Sequence, residues 1–187
     1  MRITGGAHRS RELRAPRGSA TRPTSDRVRE ALFSILNAQG RVVGARVLDL
    51  YAGTGALALD ALSRGAERAV LVESGRDALE AIRANVASLG MADRARVVAG
   101  AVERAAAKLA VDAPFDLVFA DPPYADLDAA ARAIAALVAA SVLAEGALLA
   151  LEHAQKSEPP EIPGLAQDAE LGTRRYGDTA VSFYSRA

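Results

Sequence analysis

From Arg46 to His153 the chain repeats one pattern, and that pattern limits the folds open to it. Short, unbroken apolar runs alternate with longer stretches of helical spacing. The runs are RVLDLYAG from 46, RAVLVE (68–73), ARVVAG (95–100), FDLVFAD (115–121) and GALLALEH (146–153). Between them lie ALALDALSR from 56 and helical stretches over 77–90, 102–110 and 128–140. A strand that is apolar without a break, rather than at every second residue, is buried on both faces. Strands of that kind separated by helices give a doubly wound α/β sheet, Rossmann-like and mostly parallel. Two more strands close the chain, AELGTRRYG (169–177) and TAVSFYSR (179–186). Gly177-Asp178 joins them tightly enough to make the pair an antiparallel hairpin. The sheet is therefore expected to have seven strands, with KSEPPEIPG (156–164) as a proline-rich loop before the hairpin.

The first 45 residues follow other rules. RIT, Gly5-Gly6 and RSRELRA read as a β-hairpin. A polar segment with Pro and Gly follows, and then a helix that Thr24 or Ser25 can cap, with Asp26 in its first turn. Val28, Ala31, Leu32, Ile35 and Leu36 form its apolar stripe, which leaves Arg29 and Glu30 on the other side. The expected organisation is a basic hairpin extension over 1–22 and one α/β domain over 23–187. The chain's net charge of zero conceals an asymmetry. Residues 1–29 hold eight Arg against Glu12 and Asp26, a net of +6, so the rest carries −6. A basic arm on an acidic body points to a polyanion, and Arg suits phosphate because it binds bidentately.

The composition excludes several classes. With no Cys there is no disulfide framework and no thiolate metal site, and two His do not make a metal centre, so no metal is expected. The N-terminus lacks the apolar region of a signal peptide. The longest uncharged apolar stretch, 133–144, is shorter than a bilayer span. A soluble, cytoplasmic protein with no membrane partner is expected. His8 and His153 read as ordinary surface residues.

Candidate chemistry gathers where ligands bind in such sheets, at the carboxyl ends of the strands. Asp49-Leu-Tyr-Ala-Gly-Thr-Gly55 lies on the first strand–helix turn, where Gly53 and Gly55 let the backbone approach a ligand and a helix N-terminus follows. Glu73 ends the second strand, 20 residues after Gly53, where a carboxylate can accept from both hydroxyls of a ribose. This set fits a dinucleotide as well as another adenosine cofactor. Asp121-Pro-Pro-Tyr124 narrows the choice. Prolines carry no N–H, so nearby carbonyls stay outside the sheet's ladder and can accept hydrogen bonds in a cleft. The Asp121 carboxylate is another acceptor, and Tyr124 offers a flat face. Acceptors beside a stacking face suit a planar group bearing NH2, such as the exocyclic amine of a base.

These segments, together with RPTSDRVREALFSIL at 22–36 and the ends RITGGAHRSREL and RRYGDTAVSFY, resemble the RsmD-type 16S ribosomal RNA guanine-N2 methyltransferases of the class I S-adenosylmethionine-dependent fold. The resemblance spans nearly the whole chain. It implies S-adenosyl-L-methionine as cofactor, with Asp49, Gly53 and Gly55 at its methionine end and Glu73 on its ribose. Asp121, Pro122 and Tyr124 would hold the target guanine. The partner implied is 16S rRNA in the small ribosomal subunit or an assembly intermediate, met by Arg2, Arg9, Arg11, Arg14, Arg27 and Arg29. A monomer is expected. One position departs from the family: where an acidic residue often meets the adenine amine this chain has Ala101, so backbone groups or Glu103 must serve. Tyr51 replaces a common Phe. The tetrad is shared with adenine-N6 methyltransferases, and a non-catalytic RNA-binding module on the same fold is the further alternative.

Overall fold

The structure, a computed structural model, describes residues 1–16 and 25–187. Helix α1 (Asp26–Ala38) begins at Ser25, whose Oγ accepts from the Val28 N–H at 3.3 Å; the other candidate cap, Thr24, lies outside the described residues. The repeating unit then runs β1 (Arg46–Leu50), α2 (Ala56–Ser63), β2 (Arg68–Glu73), α3 (Arg76–Ser88), β3 (Ala95–Ala99), α4 (Ala106–Leu109), β4 (Phe115–Ala120), α5 (Leu127–Ala139) and β5 (Leu143–Ala154). Strands β6 (Ala166–Gln167), β7 (Thr173–Tyr176) and β8 (Thr179–Ser185) complete it. The sheet order is β3-β2-β1-β4-β5-β8-β6, with β7 also paired to β8. Strands β1 to β5 are parallel, and β8 runs antiparallel to its three partners. The sheet thus has eight strands among the described residues rather than seven. The chain leaving the proline-rich loop pairs along β8 for two residues, and so short a strand has no hydrophobic pattern of its own. The helix expected over 102–110 is split into a 3₁₀ turn, Val102–Arg104, and the single-turn α4. Among the described residues no helix is long and apolar enough to cross a membrane.

The strands' alternation sorts the core into two layers. Val47, Leu117, Phe119, Ala150 and Phe183 face the N-terminal segment, α1, α2 and α3. Leu48, Leu50, Val118, Leu149 and Leu151 face α5 and the proline-rich loop. On the first side the buried stripe of α1 is Arg29, Leu32, Phe33 and Leu36, one step round the helix from the expected stripe. Phe33 meets Phe119 edge-on, ring centroids 5.7 Å apart.

Arg29, expected among the cations that meet RNA, is therefore not on the surface. It is fully buried, its Nη2 donating to the Arg2 carbonyl at 2.6 Å and to Asp26 Oδ1 at 2.7 Å. Its Nε lies 3.8 Å from Asp60 Oδ2. Asp60, itself buried in α2, accepts from Thr4 N at 2.9 Å and Gly5 N at 3.3 Å and lies 3.7 Å from Arg64 Nε. A buried charge persists only when paired and hydrogen-bonded, and here the pairing fixes the N-terminal segment to the domain. That segment is hairpin-like: Arg2 and Glu12 form an antiparallel bridge around a 3₁₀ turn at Gly6–His8, with Ile3 and Leu13 in the core.

His153 is also no surface residue; 1 % of it is exposed. Its Nδ1 donates to the Ala154 carbonyl at 3.0 Å, since a carbonyl can only accept, and the neutral ring's Nε2 then accepts from Ser182 Oγ at 2.8 Å. Ser182 accepts in turn from Thr173 Oγ1 at 2.8 Å, and Thr173 from Gln167 Nε2 at 3.0 Å. Burial lowers the imidazole's pKa, in keeping with a neutral ring. The chain of bonds joins β5, β8, β7 and β6.

Candidate active site

The strand order reverses at β1, which pairs with β2 on one side and β4 on the other, and the crevice above such a point is where ligands bind. Register brings the candidates together. Leu50 pairs with Val72 and with Ala120, so Tyr51, Glu73 and Asp121 stand abreast one residue further on. Asp49 lies two residues deeper in β1, on the side of α2, whereas the left-handed Tyr51 packs toward the other core layer.

The turn after β1 is built from backbone. Tyr51 (φ 60°), Gly53 (φ 57°) and Gly55 (φ 77°) all take left-handed conformations, and a non-Gly residue held there is strained. The Gly53 N–H donates to Glu73 Oε2 at 2.8 Å, while Glu73 Oε1 accepts from Ser74 N and Gly75 N at 2.7 Å each. The two glycines differ. A Cβ on Gly55 would meet Leu71 Cδ2 at 2.8 Å in the core, whereas one on Gly53 would meet nothing nearer than the Tyr51 carbonyl at 4.0 Å. Gly55 thus serves packing, and Gly53 leaves open space above the turn.

Asp49 is 1 % exposed and its Oδ2 accepts from the Ala58 N–H at 3.1 Å, inside the first turn of α2. Burial pushes its carboxyl well above the ordinary range; the Ala58 bond pulls it down, and Asp121 and Glu73 push it further up. A cation near these three carboxylates would relieve all of them. Tyr51, half-buried, has its hydroxyl pushed up to about 12 by burial, with Glu103 and Asp126 adding to the effect.

At β4 the Asp121 N–H makes the last rung, to the Leu50 carbonyl at 3.4 Å, and Pro122 and Pro123 end the ladder. Tyr124 opens a 3₁₀ turn, is 47 % exposed, and its hydroxyl lies 2.9 Å from Thr179 Oγ1 at the β7–β8 hairpin. Ala101 lies beyond β3 in a groove of about 450 Å³ lined also by Gly100, Arg104 and Lys108. Lys108 Nζ donates to the Ala99 carbonyl at 2.9 Å, and Glu103 is exposed on the adjoining turn. Another groove lies under the proline-rich loop beside Tyr184 and Ile162.

Of the arm's arginines, Arg2, Arg9, Arg11, Arg14 and Arg27 are exposed. Asn85 of α3 joins the arm to the glycine turn. Its Oδ1 accepts from Arg14 N at 2.7 Å, and its Nδ2 donates to the carbonyls of Arg14 at 3.1 Å and Thr54 at 3.0 Å. Sequence reasoning missed Asn85, Asp60 and Glu152. The signal for Asp60 was a lone carboxylate inside the otherwise apolar ALALDALS. The signal for Glu152 was a carboxylate closing an apolar strand, as Glu73 and Asp121 do.

Comparison with known proteins decides the family. The family model described as conserved hypothetical protein 95 matches residues 1–185. A Bacillus subtilis protein named as a candidate rRNA methyltransferase, YlbH, is 34% identical over 190 residues, covering 100% of this chain and 99% of its own. The ribosomal RNA small subunit methyltransferase D of Escherichia coli K12 is 44% identical over 125 residues, 66% of this chain and 60% of that one. The chain belongs to the RsmD-type rRNA methyltransferase family. A solved Escherichia coli structure, the candidate methyltransferase yhhF, superposes on this RsmD-type chain with a TM-score of 0.81 at 37% identity, covering 100% of this chain and 97% of that one. The cofactor is S-adenosylmethionine, which supplies a methyl group activated on a sulfonium. The residues of this RsmD-type site fit it. The open face of Gly53 gives room, the acids Asp49 and Glu73 suit a cationic group, and Glu73 keeps acceptor capacity for hydroxyls beyond its three backbone bonds.

Proposed function

We propose that this rRNA methyltransferase acts on the exocyclic N2 amine of one guanine in 16S rRNA, in the small ribosomal subunit or an assembly intermediate, as a cytoplasmic monomer. One observation carries the chemistry: Asp121 ends β4 abreast of Tyr51 and Glu73, and two prolines and an exposed Tyr124 follow it directly. The small-subunit reading draws support from the name of the Escherichia coli relative, and the guanine reading from the arm and α1, whose sequences resemble those of guanine-N2 enzymes.

In this reading Asp121 and the Pro122 carbonyl accept the hydrogens of the amine. The amine nitrogen is a weak nucleophile because its lone pair is delocalised into the ring, and holding its hydrogens out of the ring plane frees that pair. Tyr124 stacks on the base, its ring held by the contact with Thr179. Alignment of reacting atoms at about 3–3.5 Å supplies up to roughly 7–11 kcal/mol of such a barrier. No strong base is required, because the methylated ammonium is acidic. Asp121 acts first as an acceptor and only then, if at all, as a proton relay. The base must leave its stack to reach the edge, which is easiest in a loop. Residues 1–22 serve as the RNA-facing extension and 23–187 as the catalytic domain. Arg2, Arg9, Arg11, Arg14 and Arg27 meet phosphates. The pairs Arg2–Glu12 at 3.2 Å and Arg14–Glu80 at 3.3 Å are exposed and weak enough for phosphate to displace.

The test is to incubate the protein with methyl-labelled S-adenosylmethionine and small subunits from cells lacking the native activity, and to map the label. Label on the N2 of one guanine is expected. Label on adenine sinks the guanine assignment, and no label on any RNA favours a binding module.

A further inference from the structure

Glu152 lies at the candidate edge, and nothing above gives it a role. It is 8 % exposed, at the carboxyl end of β5. Ala120 of β4 pairs with Leu151 of β5, so Glu152 stands abreast of Asp121. The two also share a face of the sheet. Phe119 and Ala150 pair and pack together on the side of the N-terminal segment, and Asp121 and Glu152 each follow two residues later. At one level the edge therefore reads Glu73, Tyr51, Asp121, Glu152 across β2, β1, β4 and β5. The cofactor's turn lies at the first pair, so Glu152 is on the far side of Asp121 from it.

Neighbouring strands are about 4.8 Å apart, close enough for the carboxylates that follow them to converge on two adjacent donors of one planar base. Guanine presents such a pair, the amine N2–H2 and the ring N1–H. Adenine presents its amine beside a ring N1 that is itself an acceptor. A buried carboxylate accepts from N1–H and repels the lone pair of adenine N1. The same group therefore favours one base and disfavours the other. The Asp-Pro-Pro-Tyr tetrad cannot make that distinction, because it addresses only the amine.

We propose that Glu152 is the specificity-determining residue of this site, accepting the ring N1–H of the target guanine while Asp121 holds its amine. The proposal rests on the reading that the substrate is a guanine amine.

The experiment pairs a change in the protein with a change along the N1–C6 edge of the base; loss of O6 weighs equally on both enzymes, so only the change in penalty between them reports on N1. Small subunits are reconstituted with ligated 16S rRNA that carries, at the mapped position, either guanine or 2-aminopurine. The latter keeps the amine but has an acceptor at N1. Wild-type enzyme should lose about 10²-fold in kcat/KM on 2-aminopurine, as sites built around a donor do when it is missing. Glu152→Gln, whose amide can donate to N1, should lose activity on guanine and shrink the 2-aminopurine penalty to about threefold or less. Independent, multiplying effects of the two changes overturn the proposal, as does a wild-type enzyme indifferent to 2-aminopurine. If Glu152→Gln does not bind S-adenosylmethionine, Glu152→Asp takes its place. It keeps the charge but withdraws the oxygens by one methylene, so a narrowed penalty is again expected and an unchanged one overturns the proposal. Mapping with wild type decides the guanine reading separately: label on adenine there removes the premise, whereas multiplying effects on a guanine substrate sink only the role of Glu152.

Discussion

The two halves of the strand-end edge are built from different material. Above β1 and β2 the working groups are backbone: the Gly53 N–H, the left-handed turn, and a Glu73 held by three N–H donors. Above β4 and β5 they are side chains, Asp121, Tyr124 and Glu152, on a chain whose prolines withdraw it from the ladder. A backbone cradle is indifferent to most substitutions but intolerant of an added Cβ. A side-chain cradle depends on single atoms. On the proposed function, the difference separates two kinds of specificity: recognition of a common cofactor in geometry, recognition of one base in a few carboxylate oxygens.

The largest expected effect separates the halves outright. Asp121→Ala should lower kcat by about 10³-fold or more, since alignment of the amine carries much of the barrier, while the Kd for S-adenosylmethionine by calorimetry stays within about threefold of wild type. A comparable loss of cofactor affinity would make Asp121 a cofactor ligand and erase the division.

The glycines divide the backbone half further. Gly53→Ala adds a methyl group into open space above the turn at φ 57°. It should weaken cofactor binding at least about tenfold at a folding cost of only about 1 kcal/mol. Gly55→Ala drives a Cβ to 2.8 Å from Leu71 at φ 77°. It should cost about 2–3 kcal/mol of stability, a Tm drop on the order of 5–10 °C. Thermal melts with and without cofactor read both. Equal Tm losses for the two variants would refute the assignment of one to ligand and one to packing.

Asn85 is where the glycine turn and the N-terminal arm, proposed above to face RNA, share a part. Asn85→Ala strands three backbone groups, at Arg14 and Thr54, so the cofactor Kd and the KM for small subunits should rise together, each by roughly three- to tenfold. A change in only one would mean that arm and turn are mechanically independent.

Much of this edge was legible in the sequence because local signals carry it. Continuous apolar runs marked the five parallel strands, Gly53 and Gly55 marked the turn, and Asp121-Pro-Pro-Tyr marked itself. What was not legible depends on distant partners. Arg29 was placed on the exposed side of α1 because Arg seldom enters a core. Its burial requires Asp60, 31 residues on, and the Arg2 carbonyl. His153 is buried because β8 crosses it and supplies Ser182. Glu152 is not legible as a site residue, because a carboxylate at a strand end looks solvated until the register sets it beside Asp121.

The smallest effect concerns Asp49, the buried carboxylate of the backbone half. Its carboxyl lies well above its ordinary value because burial disfavours the charge, with Asp121 and Glu73 nearby. A folded-state pKa above the unfolded one contributes stability at pH below about 3.8, the unfolded value, and loses it as pH rises through the folded value. At neutral pH an ionised Asp49 therefore weighs against the fold. Asp49→Asn keeps an oxygen for the Ala58 N–H and removes the charge. The variant should melt about 2–4 °C higher than wild type at pH 7.5, a gain of about 1 kcal/mol. The gain should vanish in acid, where wild-type Asp49 is protonated as well. Affinity for the cationic cofactor should fall in the same variant, because its charge partner is gone. Melting curves across pH, without cofactor, decide it: a variant no more stable than wild type at neutral pH would mean that the Ala58 bond and local polarity fully offset the burial of this carboxylate. The acid would then be held at no cost to the fold, and the backbone half of the edge would owe nothing in stability to the one buried carboxylate it contains.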